Sequence, residues 1–230
     1  MVLPRRLLAT LACALVAHAA HAQRSRLGED DVAQRGECEL ELARTRQTAR
    51  GAAAERESAM QLDCGIGWRT ELVLGIASRQ GSGEHAGALE VEARTALFQG
   101  GGVAWSVVYG AAAERSAGAS WRGSTHVIGL DAAWRPAPAW VIDSRLVRLR
   151  DRIERRGSRV WSLGVEHELS DRFEARIEAE DESRRRPLVT LGLRYEFWPD
   201  RARFELSYAA RAGAPRERRA GAGIVFEFPD

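Results

Sequence analysis

Lysine is absent from this sequence; all 34 basic residues are arginine. That reflects coding bias and carries no functional information. Long apolar runs are also missing. Past the first residues, nothing approaches the roughly 20 apolar residues that a spanning helix needs. With a mean hydropathy of −0.32, this excludes a helical membrane bundle. An excess of one charge is lacking too, since the formal net charge is only +2. Cysteine is scarce, with three in all. Neither Cys38 nor Cys64 has a histidine or third cysteine near it in sequence, so no metal site is read there. Gly100, Gly101 and Gly102 precede no helical pattern, so they form a turn rather than a phosphate cradle. No haem or zinc spacing appears, and no cofactor is called for.

What is present begins with Arg5 and Arg6, a short apolar stretch from Leu7 to Val16, and Ala20-His21-Ala22. This is the layout of a secretory signal peptide over 1–22. Cys13 is not read as a lipoprotein site, because Thr10 stands where leucine is wanted. Residues 23–35 are polar and aperiodic and read as a flexible periplasmic leader. A barrel domain is expected over 36–230.

Cys38 and Cys64 remain after the signal, in a chain bound for an oxidising compartment. They are symmetric about Gly51, and each lies in the apolar phase of its segment. If Gly51 tips a hairpin, the two face each other across antiparallel strands at a separation a disulfide can span. A Cys38–Cys64 disulfide is predicted.

From Gly36 onward the chain alternates apolar and polar residues in segments of about ten to twelve residues. Twelve are read, near 37–48, 57–65, 68–79, 87–98, 102–114, 124–135, 139–150, 158–168, 172–182, 187–198, 201–211 and 219–228. Ten remain possible if 102–114 and 124–135 are misread. The pattern over 139–150 blurs after Leu146. Connections alternate as well. Short ones such as "GIG", "RPAP" and "LSD" trade places with longer, arginine-rich ones such as "RDRIERRG" and "DESRRR". Trp68, Trp134, Trp140 and Trp198 all lie beside the short turns, as an interfacial girdle requires.

A sheet that crosses lipid must close on itself, because lipid offers the backbone no hydrogen-bond partner. Short turns at one end and longer loops at the other fit an up-and-down transmembrane β-barrel with both termini on the periplasmic side. A soluble β-sandwich also alternates. Here, however, the phase opposite the apolar one is densely charged along nearly every segment. The final "AGAGIVFEFPD" alternates up to Phe228 and resembles the assembly signal of Gram-negative outer-membrane β-barrels. That resemblance covers the signal and residues 36–228 as a pattern. It implies location in the bacterial outer membrane and handling by the barrel-assembly machinery.

The phase opposite the apolar one is expected to line the lumen. It comprises Glu37, Glu39, Glu41, Asp63, Arg69, Glu71, Glu90, Glu92, Arg94, Asp131, Asp143, Arg145, Glu166, Glu174, Arg176, Glu178, Arg194, Glu196, Arg203, Glu205 and Glu227. Acids outnumber arginines, which favours cations in a wet pore. Twelve strands lie between a side-chain-filled barrel and a wide channel, so open and filled lumens both stand. Arg150, Arg152, Arg155, Arg156, Arg184, Arg185, Arg186, Arg216, Arg218 and Arg219 are expected in outer loops facing lipopolysaccharide phosphates. The leading reading is a porin-like channel for small hydrophilic solutes or ions. A closed structural or adhesion barrel binding lipopolysaccharide through those loops is the alternative. The third is a lipid-modifying enzyme using Ser124 and His126, with His167 in the same phase. No catalytic set with nucleophile, base and orienting acid is legible. Nucleic-acid binding is not expected.

Overall fold

Alternation of this kind suits a ribbon with one face in lipid and the other turned inward, and that is the architecture found. The computed structural model describes residues 35–49, 53–81, 84–151, 157–182, 186–212 and 214–228. Its elements are β1 (Cys38–Thr48), β2 (Glu55–Gly67), β3 (Thr70–Gly81), β4 (Glu84–Gly100), β5 (Val103–Ser116), β6 (Arg122–Ala137), β7 (Trp140–Asp151), β8 (Gly157–Ser170), β9 (Phe173–Glu182), β10 (Leu188–Trp198), β11 (Ala202–Arg211) and β12 (Ala214–Phe228). Each strand pairs antiparallel with its sequence neighbours. β1 pairs with β12 from Cys38↔Phe228 to Thr48↔Arg218, closing the barrel and removing every sheet edge. The chain is all-β, with no helix among the described residues. Both segments that could have been misread are strands, β5 and β6, so the ten-strand count falls away.

Several strands run further than alternation indicated. β4 begins at Glu84, close behind the end of β3 at Gly81, and β12 at Ala214, close behind the end of β11 at Arg211. Stretches expected as loops around "QGSGEHAG" and "AGAPRERR" are mostly hairpin ladder. The reason is physical: beyond the lipid both faces of a hairpin are wet, so the backbone ladder continues while the apolar phase stops. The blurred segment resolves the same way. β7 alternates strictly, with Leu146, Arg148 and Arg150 outward and Val147, Leu149 and Asp151 inward. Its polarity inverts partway along, which hides the period.

The outward phase is apolar. Met60, Leu74, Ile76, Val91, Ile128, Leu130, Leu146, Leu163, Ile177, Leu191 and Leu206 are all exposed large hydrophobics. A continuous belt of that kind on a water-soluble surface would be a severe aggregation liability; in lipid it is the solvent-matched face. Trp68, Trp134, Trp140 and Trp198 are exposed at the end that carries the short turns. His167 stacks on Trp140 with ring centroids 4.1 Å apart, and its Nδ1 lies 3.0 Å from the Ala139 carbonyl oxygen. It belongs to this aromatic rim.

Cys38 and Cys64 are joined in a disulfide, directly opposite each other in the β1–β2 register. Gly51, the expected hairpin tip, lies outside the described residues, as do 1–34. The bond closes a loop with a sequence separation of 26. On the loop-entropy argument, losing it costs about 3 kcal/mol. Cys38→Ser/Cys64→Ser is therefore expected to unfold at lower urea concentration in detergent micelles, with the heat-stable gel mobility of the closed barrel lost at lower temperature.

Candidate functional site: the barrel lumen

At the end carrying the short turns, the inward phase holds a girdle of arginine–carboxylate pairs. Arg203 of β11 reaches Glu39 of β1 at 2.9 Å, Glu205 at 3.1 Å and Glu227 of β12. Glu205 also meets Arg194 of β10 at 2.8 Å, and Arg194 contacts Glu174 at 2.8 Å and Glu166 of β8 at 3.7 Å. Arg176 of β9 contacts Glu166 at 2.8 Å, Glu178 at 3.2 Å and Asp143 of β7 at 3.4 Å. A second chain runs Glu71–Arg94–Asp131–Arg145–Glu92 across β3, β4, β6 and β7, ending in a 2.6 Å contact between Arg145 and Glu92. The two chains meet on β7, where Asp143 and Arg145 are neighbours in one phase. Alternation made this possible. Residues two apart on one strand share a face, so single strands supply both signs to adjoining pairs.

The girdle is not uniform. Arginines occupy β4, β7, β9, β10 and β11. The sector from β1 to β3 presents Glu39, Glu41, Asp63 and Glu71, with Gln61 donating to Asp63 at 2.8 Å. Glu39 is opposite Asp63 in the β1–β2 register. Glu41 is buried, and its Oε2 has no hydrogen-bond partner among the described residues.

Beyond the girdle, towards the longer connections, the two sides of the lumen differ. On β5 to β8 the inward residues Val108, Val127, Val147, Leu149 and Val160 form one buried apolar cluster. On β12 and β1 to β3 the same zone holds Gly223, Gly221, Ala43, Thr45, Ala59, Gly75 and Ala77. Comparing one residue type removes the effect of size. Ala112, in this zone on β5, is 5% exposed, whereas Ala43, Ala59 and Ala77 keep intermediate exposure. Open space in the lumen therefore lies against the β12–β3 wall, the side carrying the acid-rich sector. Further out, a second charged level includes Arg79–Glu57 at 3.1 Å and Arg211–Glu217 at 2.7 Å.

Some expected positions land elsewhere. Arg69 sits in the β2–β3 turn at φ +56°, exposed, and donates to Gln99 at 2.9 Å, so it belongs to the rim. Glu196 accepts a hydrogen bond from the Asp200 backbone N–H at 2.6 Å, also at the rim. Glu90 lies opposite Gly75 in the β3–β4 register. Arg150 and Arg218 are strand residues on the outer face rather than loop residues. Arg219, next along β12, falls in the inward phase between Gln47 and Ala209 and does not face the outside. Arg186 is exposed near the start of β10 and its carbonyl accepts from Arg211. Arg152, Arg155, Arg156, Arg184 and Arg185 lie outside the described residues, and so does the side chain of Arg216. The apolar cluster was missed. Its only sequence signal is runs such as "AWSVVYG", apolar in both phases, where alternation alone assigns no inward valine.

A closed twelve-stranded antiparallel barrel, apolar outside and ionic inside, has the fold of outer-membrane β-barrels of the porin type. Residues 8–206 match the family described as "Uncharacterised conserved protein UCP029691", and the chain belongs to that family. No curated protein matches it. Among solved structures it is similar to a KdgM porin in complex with disordered oligogalacturonate, with a TM-score of 0.65 at 9% identity, covering 83% of this chain and 99% of the porin. It is also similar to the NanC porin, with a TM-score of 0.63 at 13% identity over 82% of this chain and 100% of that one. A third is the COG4313 outer membrane channel from Pseudomonas putida F1, with a TM-score of 0.59 at 8% identity over 90% and 99%. At these identities the likeness is one of fold.

Proposed function

We propose that this protein is a porin-like channel of the bacterial outer membrane, passing small hydrophilic cations and neutral solutes. The short turns and both termini face the periplasm, and the longer connections face outward. One observation carries the reading: on β1 to β3 the charged inward residues at the level of the girdle are all acids, Glu39, Glu41, Asp63 and Glu71, the arginines that reach Glu39 and Glu71 coming from β11 and β4, and open space in the lumen adjoins that sector. An ion taking that path meets carboxylates, and their field concentrates cations and repels anions. The oligogalacturonate named for one similar porin is a polyanion, and this sector would oppose it. The inward residues of the girdle are the lining of the path, lipid covers the belt, and the barrel-assembly machinery inserts the chain.

The enzyme reading lacks support from the geometry. His126 is on the outer face opposite Ala111 and Arg150, with no hydrogen bond to it among the described residues. An arginine there opposes the imidazolium that a general base must form.

The test is single-channel recording in planar bilayers with purified, folded protein. Discrete openings are expected, with a reversal potential in a salt gradient that shows cation preference. Glu41→Gln/Asp63→Asn should move that potential towards zero selectivity. Silent membranes would remove the channel reading, and anion preference would remove the cation assignment.

A further inference from the structure

The lumen accounts for the inward charges; the outward ones need a separate explanation. On β1, outward Leu42 is followed by Arg44 and Arg46, both exposed. On β2, outward Met60 and Ser58 are followed by exposed Arg56. Arg46 stands directly opposite Arg56 in the β1–β2 register, and Arg44 is opposite Ser58. Arg218 of β12 is opposite Thr48, on the same face.

Like charges directly across a ladder are destabilising. No hydrogen bond or ion pair engages Arg44, Arg46 or Arg56 among the described residues. Nor is there a local acid to compensate. The outward phases of β11, β12, β1, β2 and β3 contain no Asp or Glu, because every acid of these strands is in the inward phase. A second opposed pair, Arg148↔Arg159 on β7 and β8, differs in having Asp181 of β9 on the neighbouring outward phase.

We propose that Arg44, Arg46 and Arg56 form a clamp for the phosphate groups of a phosphorylated glycolipid, the lipopolysaccharide of the outer leaflet. This rests on the outward orientation of the longer connections proposed above. Position selects the lipid source over a soluble anion. The arginines begin one outward step beyond Leu42 and one beyond Ser58, at the boundary where acyl chains give way to headgroups. A lipid anchored in the belt thus presents its phosphate at their height. Guanidinium forks bind phosphate through paired hydrogen bonds. An anion between Arg46 and Arg56 turns a repulsive pair into an attractive triad.

The experiment measures binding of purified lipopolysaccharide to the folded protein in neutral detergent. Its arms are native lipopolysaccharide, enzymatically dephosphorylated lipopolysaccharide, and inorganic pyrophosphate. Arg46→Gln/Arg56→Gln should weaken binding of the native form at least tenfold, while Arg172→Gln in the β8–β9 turn leaves it unchanged. Dephosphorylation should weaken binding by the unaltered protein by a similar factor, and pyrophosphate should compete only at far higher concentration. Equal binding by wild type and the double variant, or by native and dephosphorylated lipid, would overturn the clamp. Pyrophosphate binding as tightly as the lipid would overturn its lipid source. If the double variant failed to show the heat-stable mobility of the closed barrel, the dephosphorylation arm decides with the unaltered protein.

Discussion

Arg145→Met is expected to cost this barrel about 3–5 kcal/mol of stability, read as a shift of the urea unfolding midpoint in detergent micelles. Arg145 is buried beneath its neighbours, 2.6 Å from Glu92 and 3.5 Å from Asp131. Its removal takes the 2.6 Å guanidinium contact from Glu92, which is 2% exposed and lies where water hardly enters. The loss comes mainly from two buried carboxylates, Glu92 and Asp131, each deprived of a nearby cation, rather than from a net attraction forfeited. Breaking one member of a buried pair is costly, while replacing both with apolar groups of similar size is often close to neutral. Arg145→Met/Glu92→Met should accordingly recover most of the stability. Additive losses in the double variant would show that the two side chains act independently.

Ala59→Phe/Ala77→Phe is expected to reduce single-channel conductance about tenfold with little change in unfolding midpoint. Ala59 and Ala77 are directly opposite in the β2–β3 register, face the lumen and keep water contact. Two rings there enter the side of the lumen that these small residues leave open, and a paired aromatic contact across the ladder offsets part of the ordering cost. Ala112→Phe makes the contrast. Ala112 is 5% exposed on the packed side, so a ring must displace neighbours. Overpacking of that kind costs roughly 1–3 kcal/mol. It should lower stability and leave conductance nearly intact. A reversed outcome, with conduction lost at Ala112 and kept at Ala59 and Ala77, would place the path on the other wall.

Strand number, closure and the disulfide were legible because each follows from period two: a register fixes what faces what, and Cys38 and Cys64 share a phase about one midpoint. Hairpin extension past the lipid was not legible, since a wet ladder needs no apolar phase to mark it. Arg219 shows the same limit: in "RERRA" nothing apolar fixes the phase, and only pairing with Gln47 and Ala209 turns it inward. The abundance of acid in the lumen could be read from composition of the phase. Its sorting to one side could not, because that depends on which strands become neighbours around the ring. Val108, Val127, Val147, Leu149 and Val160 converge from four strands, and no window of sequence contains them together.

The covalent tie between β1 and β2 bears on how the ring is sealed. A slip of one residue between two strands turns every side chain to the opposite face. With Cys38 fastened to Cys64, the β1–β2 register cannot slip, and Cys38 is also the position opposite Phe228, so the bond holds the alignment of the very strand on which β12 closes the ring.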